Sequence, residues 1–445
     1  MKKRLLLISP LGKKGLMGSD FYFRLPYLGL LKVAALTPPD DWEVRIIDEK
    51  VEPLDLEQDA DLVGITAMTP VVKRGYAIAD HFRARGIPVV MGGMHVSKLP
   101  EEALQHCDSV VIGEAEDLWD KLLADLARGG MKRTYRHDGT FPVLENRPLV
   151  NWDLYKDKRY LTVHFVETTR GCPFNCEFCA VTSSFGGKFR NRSIDDVERE
   201  IKSFKPFPGR FAWNNLIFFN DDNIISSKRH ARELLTRIIP YKLDWLGQTS
   251  VEMAQDDEML DLCKKSGCMG IVIGFESLSA ETLKSINKGV NKPQQYMDIV
   301  KRMHDHGIGV KGSFIFGFDT DDDGVFERTV EFAARAKLDV VYYSILTPYP
   351  GTTFYEQMLR DGRIIDHDWD NYNTHNVVYK PKLLTPERLL EGYWWAFQES
   401  YKYSSIVKRI WGNGTRYNFF YPMNYGYRQS IKKALRDETI GGKRS

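Results

Sequence analysis

Short apolar runs alternate with amphipathic helical patterns over most of the chain, and this alternation constrains the fold more than any other feature. Within the first 125 residues the runs are LLLISP, VRIIDE, LVGITA, PVVMGG and SVVIGE, with helical patterns between them. Val- and Ile-rich runs of this kind suit strands buried on both faces of a parallel sheet. The pattern predicts a doubly wound, Rossmann-like α/β domain over 1–125, with its ligand crevice at the carboxyl ends of the strands. Ser9, Asp48 and Glu49, Thr66 to Thr69, Gly92 to His95, and Gly113 to Glu116, with Glu114 among them, stand at those ends. The Gly92–Gly93 pair lets backbone approach a ligand closely. No G-x-G-x-x-G follows the first run, which argues against a dinucleotide. Residues 126–159 are polar, carry turn signals and show no sustained period, so they read as a linker draped over the next domain.

The alternation resumes at Tyr160 and runs to about residue 355, with strands expected at VHFVETTR, NLIFFND, LDWLGQTS, GIVIGFES, GVKGSFIFGF and VVYYSILTPYP. Six strands are fewer than a closed eight-fold barrel needs. After the first of them stands RGCPFNCEFCA, which holds three of the six cysteines, Cys172, Cys176 and Cys179. Three thiolates at this spacing suit three corners of a [4Fe–4S] cluster and leave one iron open to a small chelating molecule. Tetrahedral zinc is the competitor, but structural zinc sites close with four Cys or His ligands. No second C-x2-C or H-x3-H pair exists, and His164 could complete such a site only by chance. Cys107, Cys263 and Cys268 read as buried structural thiols.

The formal net charge of +2 gives no nucleic-acid footprint. The apolar part of MKKRLLLISP is too short for a signal peptide and reads as the first strand. Six cysteines in 445 residues form no disulfide framework, and an oxygen-sensitive cluster suits a reducing cytoplasm.

The C-x3-C-x2-C loop, with Phe178 just before its last cysteine, resembles the cluster loop of the radical S-adenosylmethionine (SAM) superfamily. The phrases GITAMT, GGMHVSKLPEE and IGEAE resemble the cobalamin (B12)-binding domain that precedes many radical SAM barrels. The likeness covers roughly residues 1–400. It implies a partial (β/α)6 barrel over 160–355, a cluster whose open iron binds SAM, and cleavage of SAM to a 5′-deoxyadenosyl radical. It also implies an electron donor such as flavodoxin or ferredoxin. By position in the family pattern, Asp221 or Asp222 in NDDN would hold the SAM amino group, although such residues also serve as helix N-caps. Gln248 and Ser250 would contact ribose or carboxylate, Glu276 ribose hydroxyls or a cation, and Gly312 to Phe318, with Phe316 among them, the adenine through backbone. Lys188, Arg190 and Arg192 are a solvated face, a counter-charge for the cluster or a hold on the SAM carboxylate. Ser9, Thr66, Thr69, Gly92, Gly93, His95 and Glu114 would line cobalamin. One departure stands out: the Asp-x-His-x-x-Gly that supplies a cobalt ligand is missing, and the first histidine of the chain is His81. The resemblance therefore implies cobalamin without a histidine ligand from the first loop.

Methylation of an unactivated carbon is the activity the architecture most often carries. Ring formation on a large apolar or tetrapyrrole-like substrate is the alternative. A non-catalytic module stabilised by a metal or cluster is the alternative from another class. From about 356 the alternation ends in a C-terminal helical, aromatic-rich region. LTPERLLEGYWWAFQESYKYSSIVKRI reads as one long helix with Thr385 as N-cap and Pro386 at its first position. The tail interleaves aromatics with Lys and Arg. It reads as a cover for the barrel, a wall for a large substrate, or a membrane-surface attachment.

Overall fold

A computed structural model describes residues 1–12, 24–156, 158–160, 163–205 and 215–436. These fall into two compact units. The first is Met1–Thr162 with the returning segments Lys202–Ala212 and Asp368–Asn373; the second holds the remainder.

The first unit is built on a parallel sheet of β1 (Lys3–Ser9), β2 (Trp42–Asp48), β3 (Leu62–Thr66), β4 (Val89–Gly92), β5 (Ser109–Ile112) and β6 (Thr134–Arg136). Its order is 2-1-3-4-5-6. The side-chain period of two splits β1 between the two faces. Leu6 and Ile8 join a core under the helix Val72–Ala84. Leu5 and Leu7 join another under the helices Leu28–Leu36 and Trp119–Ala127. Strand order reverses between β1 and β3, which is where such sheets bind ligands.

The stretch 126–159, expected as a linker over the next domain, belongs instead to this unit. It contributes β6, and its Tyr155, with the adjoining Tyr160, is buried in the first unit's core. The Tyr160 hydroxyl donates to Asp48 Oδ2 at 2.9 Å, and that of Tyr155 to the Tyr27 carbonyl at 2.9 Å. Spaced aromatics in a polar stretch carry no period, so this anchoring has no sequence signal.

The second unit holds a parallel sheet of six strands: β7 (His164–Val166), β10 (Leu216–Phe219), β11 (Asp244–Thr249), β12 (Cys268–Glu276), β13 (Gly309–Phe316) and β14 (Val340–Ile345). They lie in chain order across the sheet. Two short strands, β8 (Thr169–Arg170) and β9 (Arg190–Asn191), pair antiparallel and clasp the base of the cysteine loop.

At the amino ends of the strands the sheet is closed by an aromatic ring. A side chain on Gly309 would meet Phe420 at 2.2 Å, and one on Gly270 would meet it at 2.8 Å. Two neighbouring strands therefore carry glycine where the ring lies against them. Phe420→Ala is expected to cost about 3–5 kcal/mol, as large-to-small core changes do. Gly309→Ala should be much better tolerated in that background than alone. Strictly additive losses in urea unfolding would refute the contact.

The C-terminal pattern predicts one helix. The chain instead forms Pro386–Ser400 and Tyr403–Ile410, with a break at Tyr401 and Lys402, and then Tyr417–Arg436 with Pro422 inside. The break is set by tertiary bonds. The Tyr401 hydroxyl donates to the Val341 carbonyl at 2.6 Å, and buried Arg409 donates to the Leu338 carbonyl, the Ser400 carbonyl and Asn424 Oδ1. Thr385 caps the first helix as expected, accepting from the Arg388 N–H at 3.2 Å.

Candidate active site

The cysteine loop leaves β8 and is pinned by the end of β10. Asp221 is almost wholly buried. Its Oδ1 accepts from the N–H of Thr168 (2.6 Å) and of Thr169 (2.9 Å), and its Oδ2 from the Thr168 hydroxyl (2.5 Å). Its oxygens are thus engaged in fixing the turn between β7 and β8. This corrects the expectation that Asp221 is an equal candidate for the SAM amino group: it is a positioning residue for the loop. Burial pushes its carboxyl up to about 7, against the pull of these donors.

Asp222 accepts from the Gly171 N–H through Oδ2 at 2.9 Å and lies near enough to Cys172 to act on its ionisation. Of the two adjacent carboxylates it is the one that acts on a cysteine of the loop. Gln248, exposed at the end of β11, donates to the Asp222 carbonyl at 3.1 Å. Asn223 ties the same two strand ends by accepting from the Thr249 hydroxyl at 3.0 Å. The Ser250 hydroxyl donates to Glu252 at 3.3 Å.

Cys179 acts on the ionisation of both Cys172 and Cys176, and Cys172 on that of Cys176. Burial pushes the Cys176 thiol up to about 11 and that of Cys172 upward, so loading with iron must displace protons. Three thiols on one short loop, with no fourth Cys in it, suit a cluster with one open iron. His164 lies at the start of β7, and burial lowers its imidazole to about 4, which keeps it neutral. Phe178 packs edge-on against Phe318 at 6.3 Å.

Glu276 stands after a shift of register between β12 and β13 and has φ +64°. Such a bulge re-aims a side chain. Its Oε1 bonds Lys288 Nζ at 2.5 Å and occupies the place a Gly274 side chain would fill. Burial opposes the charge on Lys288, but Glu276 and the thiols of Cys176 and Cys179 outweigh that and hold its ammonium above the usual range. No local motif marks a lysine twelve residues past the strand end, so the sequence pattern does not point to it.

Other expected residues stand elsewhere. Phe316 turns its ring away from the barrel interior onto Phe326 (4.9 Å) and Tyr343 (5.2 Å). A side chain on Gly312 would likewise meet Phe275 and Leu338. At Gly312 and Phe316 only the backbone can serve a ligand. Arg192 is buried against Glu200 at 2.5 Å and donates to the Glu167 carbonyl at 2.7 Å, so it braces the β8–β9 clasp.

In the first unit the strand ends carry small residues. Gly93 has φ +104°, and a side chain there would meet the Ala67 carbonyl at 2.7 Å and Thr66 Oγ1 at 3.1 Å. Gly113 has φ +83° with open space where a side chain would go. Ser9 and Thr66 stand at the same edge of strand ends, and Glu114 is buried. His95 does not belong to that edge. It is 1% exposed, with Nδ1 at 3.2 Å from Thr69 Oγ1, Nε2 at 3.3 Å from Glu102, and Trp369 edge-on at 5.1 Å. This corrects the expected cobalamin contact, and the Thr69 hydroxyl is engaged with it. Glu102, which also accepts from Tyr76 and Trp369, is the hub of this cluster, and no sequence pattern marks it.

A three-thiol loop at the strand ends of a six-stranded parallel sheet, following in sequence a unit ordered 2-1-3-4-5-6, defines the class. Residues 166–333 match the radical SAM superfamily and residues 16–123 the B12 binding domain. The chain belongs to the radical SAM superfamily, among the members that carry a B12-binding domain ahead of the barrel. It is 35% identical to the bacteriochlorophyllide d C-12(1)-methyltransferase of Chlorobaculum tepidum, over 94% of this chain and 92% of that one. It is 31% identical to the bacteriochlorophyllide d C-8(2)-methyltransferase of the same organism, over 86% and 87%. Among solved structures, the radical SAM methyltransferase TsrM of Kitasatospora setae superposes with a TM-score of 0.68 at 15% identity, covering 98% of this chain and 100% of that one.

Proposed function

We propose that the protein is a cobalamin-dependent radical SAM methyltransferase that places a methyl group on a carbon of a large, planar, tetrapyrrole-like small molecule. The likeness to the bacteriochlorophyllide methyltransferase along nearly the full length of both chains carries this reading. When bound, the cluster with SAM supplies a carbon-centred radical and the cobalamin supplies the methyl group. The residues of the chain hold and orient. Cys172, Cys176 and Cys179 ligate the cluster, Lys288 offsets its charge, and Asp222 with Gln248 receives SAM. The test is anaerobic incubation with methyl-labelled SAM, flavodoxin as reductant and bacteriochlorophyllide d. Label on a pigment carbon is expected; pigment altered without label would favour the cyclase alternative, and an unaltered pigment would sink the tetrapyrrole substrate.

The working site is proposed to be the cytoplasm, with a low-potential flavodoxin or ferredoxin as electron donor. No helix among the described residues is long and apolar enough to cross a membrane. Peripheral contact with an anionic membrane surface is favoured by one feature. Trp411, Tyr417, Tyr421 and Tyr425 are exposed, and no acidic residue occurs between Glu399 and Asp437, where eight Lys and Arg stand. Aromatic and basic residues together suit a headgroup interface. Co-sedimentation with phosphatidylserine vesicles but not with phosphatidylcholine vesicles is expected, and no preference between them would reject the contact.

A further inference from the structure

We infer that Lys311 anchors a carboxylate of the substrate inside the barrel, so that the substrate is a planar aromatic or macrocyclic acid. This rests on the methyl-transfer reading and deepens it by fixing the substrate class.

Strand β13 alternates along its length. Val310, Gly312, Phe314 and Phe316 are buried, while Lys311, Ser313 and Ile315 are partly accessible on the other face. Paired residues in a parallel sheet share a face. Gln248, Val272 and Lys311 form one register row across three strands. Gln248 is exposed, so the interior is open at that level. Lys311 therefore lines the same interior face as the residue that touches Asp222.

The Lys311 ammonium stands 5.1 Å from the ring centroid of Tyr342 and 5.6 Å from that of Tyr427. Among the described residues no carboxylate pairs with it and no hydrogen bond is made to it. Lys288, also half-buried in this unit, has its Glu276. A half-buried charge without a counter-ion is costly, and ring faces offset only part of that cost. Burial accordingly pushes the Lys311 ammonium down. A carboxylate brought by a ligand would supply the missing partner. A phosphate is a poorer match, because such groups are held by several converging donors and here there is one ammonium.

The position suits an anchor. Ser313, paired with Gly274 and Tyr342, stands one row nearer the carboxyl ends, and Glu276 with Lys288 lies beyond it. Two residues along a strand span about 6–7 Å. An acid seated on Lys311 would extend from there toward the cluster end, with the half-buried Tyr342 ring as a flat wall for a planar body.

The test uses full-length protein loaded with cluster and cobalamin, and measures binding by fluorescence quenching. The probes are bacteriochlorophyllide d and protoporphyrin IX, each as free acid and as methyl ester. Wild type is expected to favour at least one acid over its ester by about ten- to a hundred-fold, the range of one charge-assisted hydrogen bond. Lys311→Met should bind acid and ester alike at the ester's affinity, and Lys311→Arg should regain the preference. Equal affinities for acid and ester in wild type, a preference kept in Lys311→Met, or no binding of either acid would overturn the inference. The acid–ester comparison in wild type decides even if a variant fails to fold. S-adenosylhomocysteine formed from SAM without any substrate reports on methyl transfer separately. Its presence beside failed binding sinks the anchor alone; its absence sinks the functional reading.

Discussion

Changing Cys172, Cys176 and Cys179 together to Ala is expected to abolish iron binding, the visible absorbance of the cluster and all release of 5′-deoxyadenosine. The loop offers three thiols and no fourth, and the remaining cysteines cannot substitute. Cys263 and Cys268 are buried in the second unit and Cys107 in the core of the first. Burial pushes the Cys107 thiol up to about 12 and that of Cys263 strongly upward, far from the thiolate a metal needs. Iron and sulfide analysis of anaerobically purified protein checks the first point, and chromatography of the SAM products the second. SAM cleavage surviving in the triple variant would remove the cluster assignment, and with it the proposed chemistry.

Asp221→Ala is expected to lose most of the cluster although its side chain bonds only to Thr168 and Thr169. The substitution strands two backbone N–H groups and one hydroxyl in a buried turn, at about 1–3 kcal/mol each. The turn they hold leads directly into β8 and the cysteines. Asp221→Asn should keep the cluster, because an amide oxygen can accept the two N–H bonds while its nitrogen faces the Thr168 hydroxyl. Burial already brings the carboxyl to about 7, so a neutral isostere costs little. The neighbour should behave in the opposite way. Asp222→Ala is expected to retain iron but weaken SAM binding about ten- to a hundred-fold, the loss of a charge-assisted hydrogen bond. Full iron content in Asp221→Ala, or unchanged SAM affinity in Asp222→Ala, would reverse the two roles.

The contrast between these adjacent aspartates shows where sequence stops being informative. NDDN at a strand end marks a site, but which carboxylate faces inward depends on a partner more than fifty residues earlier. A strand and its helix are local: the apolar runs and turn signals specify them, and the six repeats from β7 to β14 were legible for that reason. The three thiols were legible because cluster ligation needs three cysteines within one short loop. Gly93 was legible because a positive φ beside a strand end needs glycine.

What only the tertiary structure decided are pairings across long separations, which leave no periodic trace. Lys288 faces Glu276 because a bulge turns that carboxylate back over Gly274. His95 has the residue type and position of a ligand, yet Thr69, Glu102 and Trp369 enclose it. Tyr155 and Tyr160 draw an apparent linker into a core. Arg409 breaks a helix that local propensity would have continued, because the hydrogen bonds of a buried guanidinium outweigh a few tenths of a kilocalorie per residue of helix preference. The sequence by itself determined the order of elements and the three-cysteine loop, since both are encoded within short windows. The interior cation, the brace behind the cysteine loop and the ring that closes the barrel were decided by folding, because each needs groups that only the folded chain brings together.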